Sequence, residues 1–400
     1  VSALQFEILA RSTANRARLG RVTTPHGSFD TPAFMPVATA AAMKGLTPAQ
    51  IRGTGSQIIL NNAYHLFLRP GGDRIERLGG THRLMRWNGP ILTDSGGYQA
   101  YSMSDTAVLS EEGVTFRSFI DGSKVHLGPE SSMRVQNQIG ADIIMAFDDC
   151  APAALPAEDA DERRVARTRG VVDHALRMEE AHERTLRWLD RCVQAHARKQ
   201  DQALFGIVQG ATNLDLRRRS VEGVCAHDLP GYAIGGVAVG EGTEAIKTVV
   251  EFTTPLLPDN RPRYLMGVGY ERDIVMAVAA GVDMFDCVLP TRNGRNANAF
   301  TPQGPIRLRN ARFAEDSLPI DPSCDCEACA GGFSRAYLRH LFMADEMLGP
   351  TLVSAHNIRH FQRLMLDIRT AIREDAWSSL LVAWPCIGSD EAHSSTDEQT

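Results

Sequence analysis

A chain of 400 residues with 43% hydrophobic content has enough apolar mass for a large core, and its length suits either two or three average domains or one α/β barrel with insertions. The net charge of −6 excludes a generic nucleic-acid binder, so any contact with RNA or DNA must come from a local basic patch. The first residues lack an apolar signal core and no run of about eighteen apolar residues occurs, which points to a cytoplasmic protein without a membrane span.

Along the chain, eight short apolar runs have strand length: AFMPVA (33–38), SQIILNN (56–62), PILTDSGG (90–97), ADIIMAFDD (141–149), ALFGIVQG (203–210), GYAIGGVAV (231–239), RYLMGVG (263–269) and GVDMFDCV (281–288). Continuous apolar runs suit parallel strands buried on both faces, and most are followed by a helix-like segment. The pattern predicts an α/β fold, a TIM (β/α)8 barrel over residues 1–313, with its active site where the runs end in polar residues and glycine. Two insertions interrupt the rhythm. VTFRSFIDGSKVHL reads as a β-hairpin with a type I′ turn at Asp121-Gly122, and Glu158 to Lys199 reads as one or two exposed helices.

Beyond the eighth run, five arginines (Arg292, Arg295, Arg307, Arg309, Arg312) and no acid lie between Thr291 and Phe313, a candidate RNA patch. Residues 314–375 read as a zinc-binding subdomain with a closing helix, inserted into the barrel. Cys324, Cys326 and Cys329 crowd into six residues, and with one downstream histidine they make the closed tetrahedral set of structural zinc. His340, His356 and His360 compete for the fourth position. Residues 376–400, strongly polar from Ser389, read as a flexible acidic tail.

The chemistry concentrates in DMFDCVLPTRNGR (283–295), where Asp286 stands among apolar residues just ahead of Arg292 and Arg295. A carboxylate in low dielectric shifts its pKa or finds partners, and such groups cluster where reactions occur. Asp94 ends the third run. Two carboxylates at strand ends of one barrel suit glycosidic-bond chemistry, one attacking the anomeric carbon and the other moving protons; metal-binding or structural roles are the competing readings.

TDSGGYQ, AFDDC, GIVQG, GGVAVGE, YLMGVG, DMFDCVLPTRNGRNANAF and CDCEAC…HN together resemble the bacterial-type tRNA-guanine transglycosylases, from about Leu19 to Arg369. The resemblance implies a TIM barrel with a zinc subdomain, one structural Zn2+ per chain, and exchange of guanine at the wobble position of tRNA with a GUN anticodon for the queuosine precursor preQ1. It implies Asp286 as nucleophile, forming a covalent enzyme–RNA intermediate, and Asp94 as general acid/base. Asp148 and Gln209, with backbone groups of Gly236 and Val237, would read the base edges; Tyr98 and Met266 would sandwich the ring; Ser95 and Cys150 would complete the pocket. Arg292 and Arg295 would hold the anticodon loop. Cys324, Cys326, Cys329 and His356 would bind the metal, and a homodimer is the expected assembly.

Cys150 and Val239 match the pair that accompanies the small preQ1, and Glu241 would balance its aminomethyl charge. The sequence departs from the family pattern at Asn61 and Ala297, each replacing a glycine, and at Ala100-Tyr101. A barrel glycosidase or nucleosidase would need neither Arg292 and Arg295 nor a heterocycle sandwich. A non-catalytic RNA-binding subunit would not need both Asp94 and Asp286.

Overall fold

The computed structural model describes residues 3–102, 107–152, 173–237 and 242–388. Each of the eight apolar runs contains a strand: β1 (Ala33–Ala38), β2 (Ile59–Asn61), β3 (Ile91–Thr93), β4 (Ile143–Met145), β5 (Ala203–Val208), β6 (Gly231–Ile234), β7 (Arg263–Leu265) and β8 (Met284–Cys287). They pair in chain order, all parallel, and β8 closes on β1 through the register Met284↔Ala33 to Cys287↔Pro36. This is the TIM barrel that the run pattern predicts.

Because side chains alternate across a strand, every run feeds two cores at once. Met35, Leu60, Leu92, Ile143, Phe205, Tyr264 and Met284 fill the barrel interior. Phe34, Ile59, Ile91, Ile144, Leu204, Leu265 and Phe285 pack outward against the helices. The N-terminal end of the barrel is plugged by a three-stranded antiparallel sheet, Gln5–Arg11, Arg18–Thr24 and Gly27–Thr31, whose Val22 and Phe29 join the interior cluster. That sheet is absent from the sequence reading, since its short polar-rich segments carry no continuous apolar run.

Three expectations change. The inserted hairpin exists, but Arg117 pairs with Lys124, so residues 118–123 form its loop and a two-residue type I′ turn does not close it. A third strand, Val108–Leu109, joins it. Of the charge-rich insertion, residues 158–172 lie outside the described residues; the rest is the helix His174–Ala195, which buries Met178, Ala181, Trp188, Leu189 and Cys192 and is therefore amphipathic instead of fully exposed. The expected tail does not begin at 376, because Trp377–Ala383 is helical and Trp384 and Cys386 are buried. The remainder of the tail, residues 389–400, lies outside the described residues.

The segment around the cysteines packs on the 26-residue helix Leu348–Arg373, which also runs against the short helix Leu289–Arg295 directly after β8. Gly294 makes that contact possible: a Cβ there would lie 2.7 Å from Ser354 Cα, closer than packing allows. Among the described residues no helix is long and apolar enough to cross a membrane.

Candidate active site

Two-residue periodicity carries polar side chains into the barrel mouth. Along the inward face, Leu92 is followed by Asp94, Leu60 by Asn62, Ile207 by Gln209, Tyr264 by Met266 and Met284 by Asp286. β4 breaks the alternation: Phe147 turns outward onto Trp188, at 5.0 Å between ring centroids, and Asp148 turns in. These side chains line a cavity of about 420 Å3, which also includes Ser95, Tyr98, Cys150 and Gly236. Nine of the ten expected catalytic and base-binding residues thus meet in one cavity. The tenth, Val237, is buried and does not line it. Val239 and Glu241 lie outside the described residues.

Asp286 receives the Tyr264 hydroxyl at 2.6 Å and the Gly267 N–H at 2.8 Å, both on Oδ1. Its Oδ2 therefore has no donor among the described residues. Burial raises its pKa, while the two hydrogen bonds hold the shift back. Asp94 accepts the Ala63 N–H at 2.8 Å on Oδ1 and the Asn62 amide on Oδ2. Asn62 also caps the helix Ala63–Leu68 through its own Oδ1, so one side chain fixes both the helix start and the carboxylate. Burial pushes Asp94 up to about 7, and the charge on Asp286 adds to this against the donated hydrogen bonds. The two carboxylates repel each other, and with burial this leaves Asp94 able to hold or release a proton near neutrality.

Asp148 and Gln209, the expected base-edge pair, are bonded to each other. The Gln209 amide donates to Asp148 Oδ2 at 2.6 Å, and burial raises Asp148 to about 7, helped by its neighbour Asp149. Asp149 points the other way, bound by Arg177 at 2.5 Å and Arg184 at 2.6 Å from the helix His174–Ala195, which anchors the end of β4. Gly236 has φ +62°, and a Cβ there would lie 2.2 Å from Gln209 Oε1, so only glycine leaves the amide its place.

Away from the cavity, Cys324, Cys326, Cys329 and His356 bring their ligand atoms within 4.8 Å of one another, all buried. His356 Nε2 lies 2.8 Å from Phe300 O, which makes it the protonated nitrogen and turns the Nδ1 lone pair toward Cys326 and Cys329, each 3.4 Å away. The donor set and tautomer fit a four-coordinate metal. The rival histidines are excluded by place. His360 is bonded to Glu271 at 2.7 Å, and His340 is exposed beside Tyr337.

The sequence profile of the family described as Queuine tRNA-ribosyltransferase matches residues 13–384. The chain is 53% identical to the queuine tRNA-ribosyltransferase of Symbiobacterium thermophilum over 92% of this chain and 88% of the relative. It is 51% identical to that of a Cyanothece species, over 95% and 94%, and 48% identical to that of Bacillus cereus, over 94% of each. The chain belongs to the queuine tRNA-ribosyltransferase family.

Two of the departures expected from the sequence, Asn61 and Ala297, are accommodated locally. Asn61 is fully buried and satisfied, its amide donating to Ala38 O at 2.8 Å and its Oδ1 accepting from Thr81 at 3.0 Å. Ala297 keeps the left-handed backbone of a glycine, at φ +64°, held by the bond from Leu308 N to its carbonyl at 2.8 Å. An alanine in that region costs about 1–2 kcal/mol. Arg292 and Arg295 lie on the helix Leu289–Arg295 beside the cavity residue Val288, and among the described residues neither guanidinium has an ion-pair partner. Of the other arginines in the run, Arg309 lies over Phe342 and Arg312 over Phe313. Tyr264, Gly267 and His65, all lining the cavity, are among the site residues that the motif reading missed. Tyr264 was legible from its spacing two residues before Met266.

Proposed function

We propose that this chain is a tRNA-guanine transglycosylase that exchanges guanine for preQ1 at the wobble position of tRNA with a GUN anticodon, by double displacement. The observation that carries the reading is the convergence of Asp286 and Asp94 on one cavity with a base-sized set of edge and face contacts. Asp286 Oδ2 attacks C1′ of the flipped nucleotide, and the glycosidic bond breaks with its electron pair leaving on guanine. The proton that neutralises the departing base comes from Asp94. In the second half-reaction, Asp94 takes a proton from preQ1, whose ring nitrogen attacks C1′ and releases the Asp286 carboxylate.

In support, Tyr264 and Gly267 both bond to Oδ1, steering the Oδ2 lone pairs toward the cavity. Asp148 and Gln209 offer an acceptor and an amide to a heterocycle edge, and the Gly236 carbonyl is fixed by Arg217 at 3.2 Å. Tyr98 and Met266 supply an aromatic face and a polarizable thioether. Cys150 leaves room for the aminomethyl group. Arg292 and Arg295 would meet loop phosphates as flipping opens the RNA, at a cost of a few kcal/mol.

One zinc ion held by Cys324, Cys326, Cys329 and His356 would be structural, with no ligand position left for substrate. A homodimer is supported by exposed apolar side chains on the metal-site segment, among them Tyr337, Met343 and Met347. The cytoplasm, where tRNA is modified, is the expected setting.

The test is incorporation of radiolabelled guanine into an anticodon stem-loop RNA, with Asp286→Asn and Asp94→Asn in parallel. Label incorporation by the unmutated protein and loss of about 10²-fold or more in each variant is expected. No incorporation by the unmutated protein overturns the assignment, and a denaturant-resistant RNA adduct formed by Asp286→Asn overturns the choice of nucleophile.

A further inference from the structure

The loop of the inserted hairpin carries an aromatic side chain that the core does not use. Phe119 is 55% exposed in a loop whose other exposed residues are Asp121, Gly122 and Ser123. Its ring lies 5.5 Å from His65, which lines the base cavity, and 6.0 Å from Tyr64. Tyr64 is buried beneath them and held by Phe116 at 5.3 Å, so exposed Phe119 and half-buried His65 rest on a packed base. His65 has its pKa lowered by burial and by Lys44, which keeps the ring neutral at pH 7. Arg117 and Lys124, both exposed, stand at the two strand ends that flank the loop.

An aromatic group costs free energy when left in water, and one placed beside a nucleotide pocket has an obvious use. Flipping one base into a pocket strips stacking partners from its neighbours in the strand, and single-stranded RNA is recognised by giving such bases a new aromatic face. We propose that Phe119 and His65 form a stacking shelf at the rim of the cavity for the nucleobase adjacent to the one exchanged. The shelf rests on the function proposed above and adds a subsite to it. Stacking accepts any base, so the shelf supplies affinity and orientation with little sequence choice, while Arg117 and Lys124 face the accompanying phosphates.

Three RNAs test this: an intact anticodon stem-loop and two versions with an abasic residue immediately 5′ or 3′ of the exchanged guanine. With the unmutated protein, one abasic substrate should show KM for RNA raised roughly 5- to 100-fold, the loss of one aromatic–base stack. Phe119→Ala should show a similar rise on the intact RNA, little further rise on that abasic RNA, and no comparable rise in KM for guanine. Phe119→Trp should restore binding, and its added emission should be quenched by the intact RNA but not by the abasic one. Equal abasic sensitivity in the unmutated protein and Phe119→Ala overturns the shelf, as does an unquenched Phe119→Trp. Failure of the proposed function is separate, since it appears as no guanine exchange by the unmutated protein, and the fluorescence arm still reads the shelf in that case.

Discussion

Asp94 and Asp286 share one cavity, and each is raised by burial. Repulsion by Asp286 adds to the shift of Asp94, which reaches about 7, and the proposed roles rest on that. The half-reactions should therefore have opposite pH limbs. Adduct formation needs protonated Asp94 and should weaken above about pH 7; base incorporation into a preformed adduct needs ionised Asp94 and should weaken only further toward acid, because esterified Asp286 no longer carries the charge that helps to raise Asp94. Single-turnover measurements of each half across pH 5.5–8.5 check the signs. Asp148 gives a stability counterpart. Its folded pKa, near 7, lies above that of the unfolded chain, so the folded state holds a proton that the unfolded state has released. Its contribution falls as pH rises from about 4 through 7. Asp148→Asn should raise Tm by a few degrees at pH 8, roughly the effect of removing a buried charge, and little at pH 5; thermal scans at both values decide it.

At the scale of elements, the short helix Leu289–Arg295 follows β8 directly and carries Arg292 and Arg295, the proposed RNA contacts. It holds its place because Gly294 lets it lie against the backbone of the long helix at Ser354. Gly294→Val should push the two helices apart and raise KM for RNA about tenfold or more, through displaced arginines, while guanine binding changes less. Arg292→Ala should lower the dependence of log affinity on log salt by about 0.7, the share of one phosphate on a single strand. Titrations of stem-loop RNA at several salt concentrations measure both. The helix was hidden in the sequence. LPTRNGR contains proline, threonine, asparagine and glycine, so local propensity reads it as a turn, and only packing against Leu348–Arg373 makes it helical.

For the molecule as a whole, the candidate metal site and the candidate catalytic site are linked by one helix. His356 lies on Leu348–Arg373, whose flank supports Leu289–Arg295 and whose Asn357 accepts from Phe300 N at 3.0 Å and donates to Pro290 O at 3.0 Å. Removing the metal leaves three thiols and an imidazole buried with nothing to organise them. His356→Ala, or prolonged chelation, should lower Tm by roughly 5 °C or more and weaken RNA binding before it alters the chemistry at Asp286. Metal analysis, thermal melting and single-turnover rates at saturating RNA separate these effects. The same segment exposes Tyr337, Met343 and Met347, and sedimentation should show a dimer in the unmutated protein that Met347→Glu weakens.

The sequence by itself determined the barrel, because burial on both faces forces each parallel strand to read as a continuous apolar run, and eight such runs mark eight strands. It also marked Asp94, Asp286 and the cysteine cluster, since buried carboxylates and crowded thiols are too costly to stand without a task. Spacing left open which histidine faces the thiols, and His356, singled out only by the resemblance, is the one tertiary structure places there, because His340, His356 and His360 all follow the cysteines and differ in what packs around them. Tertiary structure decided the hairpin loop, where the strand register set by Arg117 and Lys124 overrides the Asp-Gly signal. It also decided that Tyr264 and Gly267 bond the same oxygen of Asp286. Bond directions of that kind depend on how strands far apart in the chain are brought together, and no local pattern of residues contains that information.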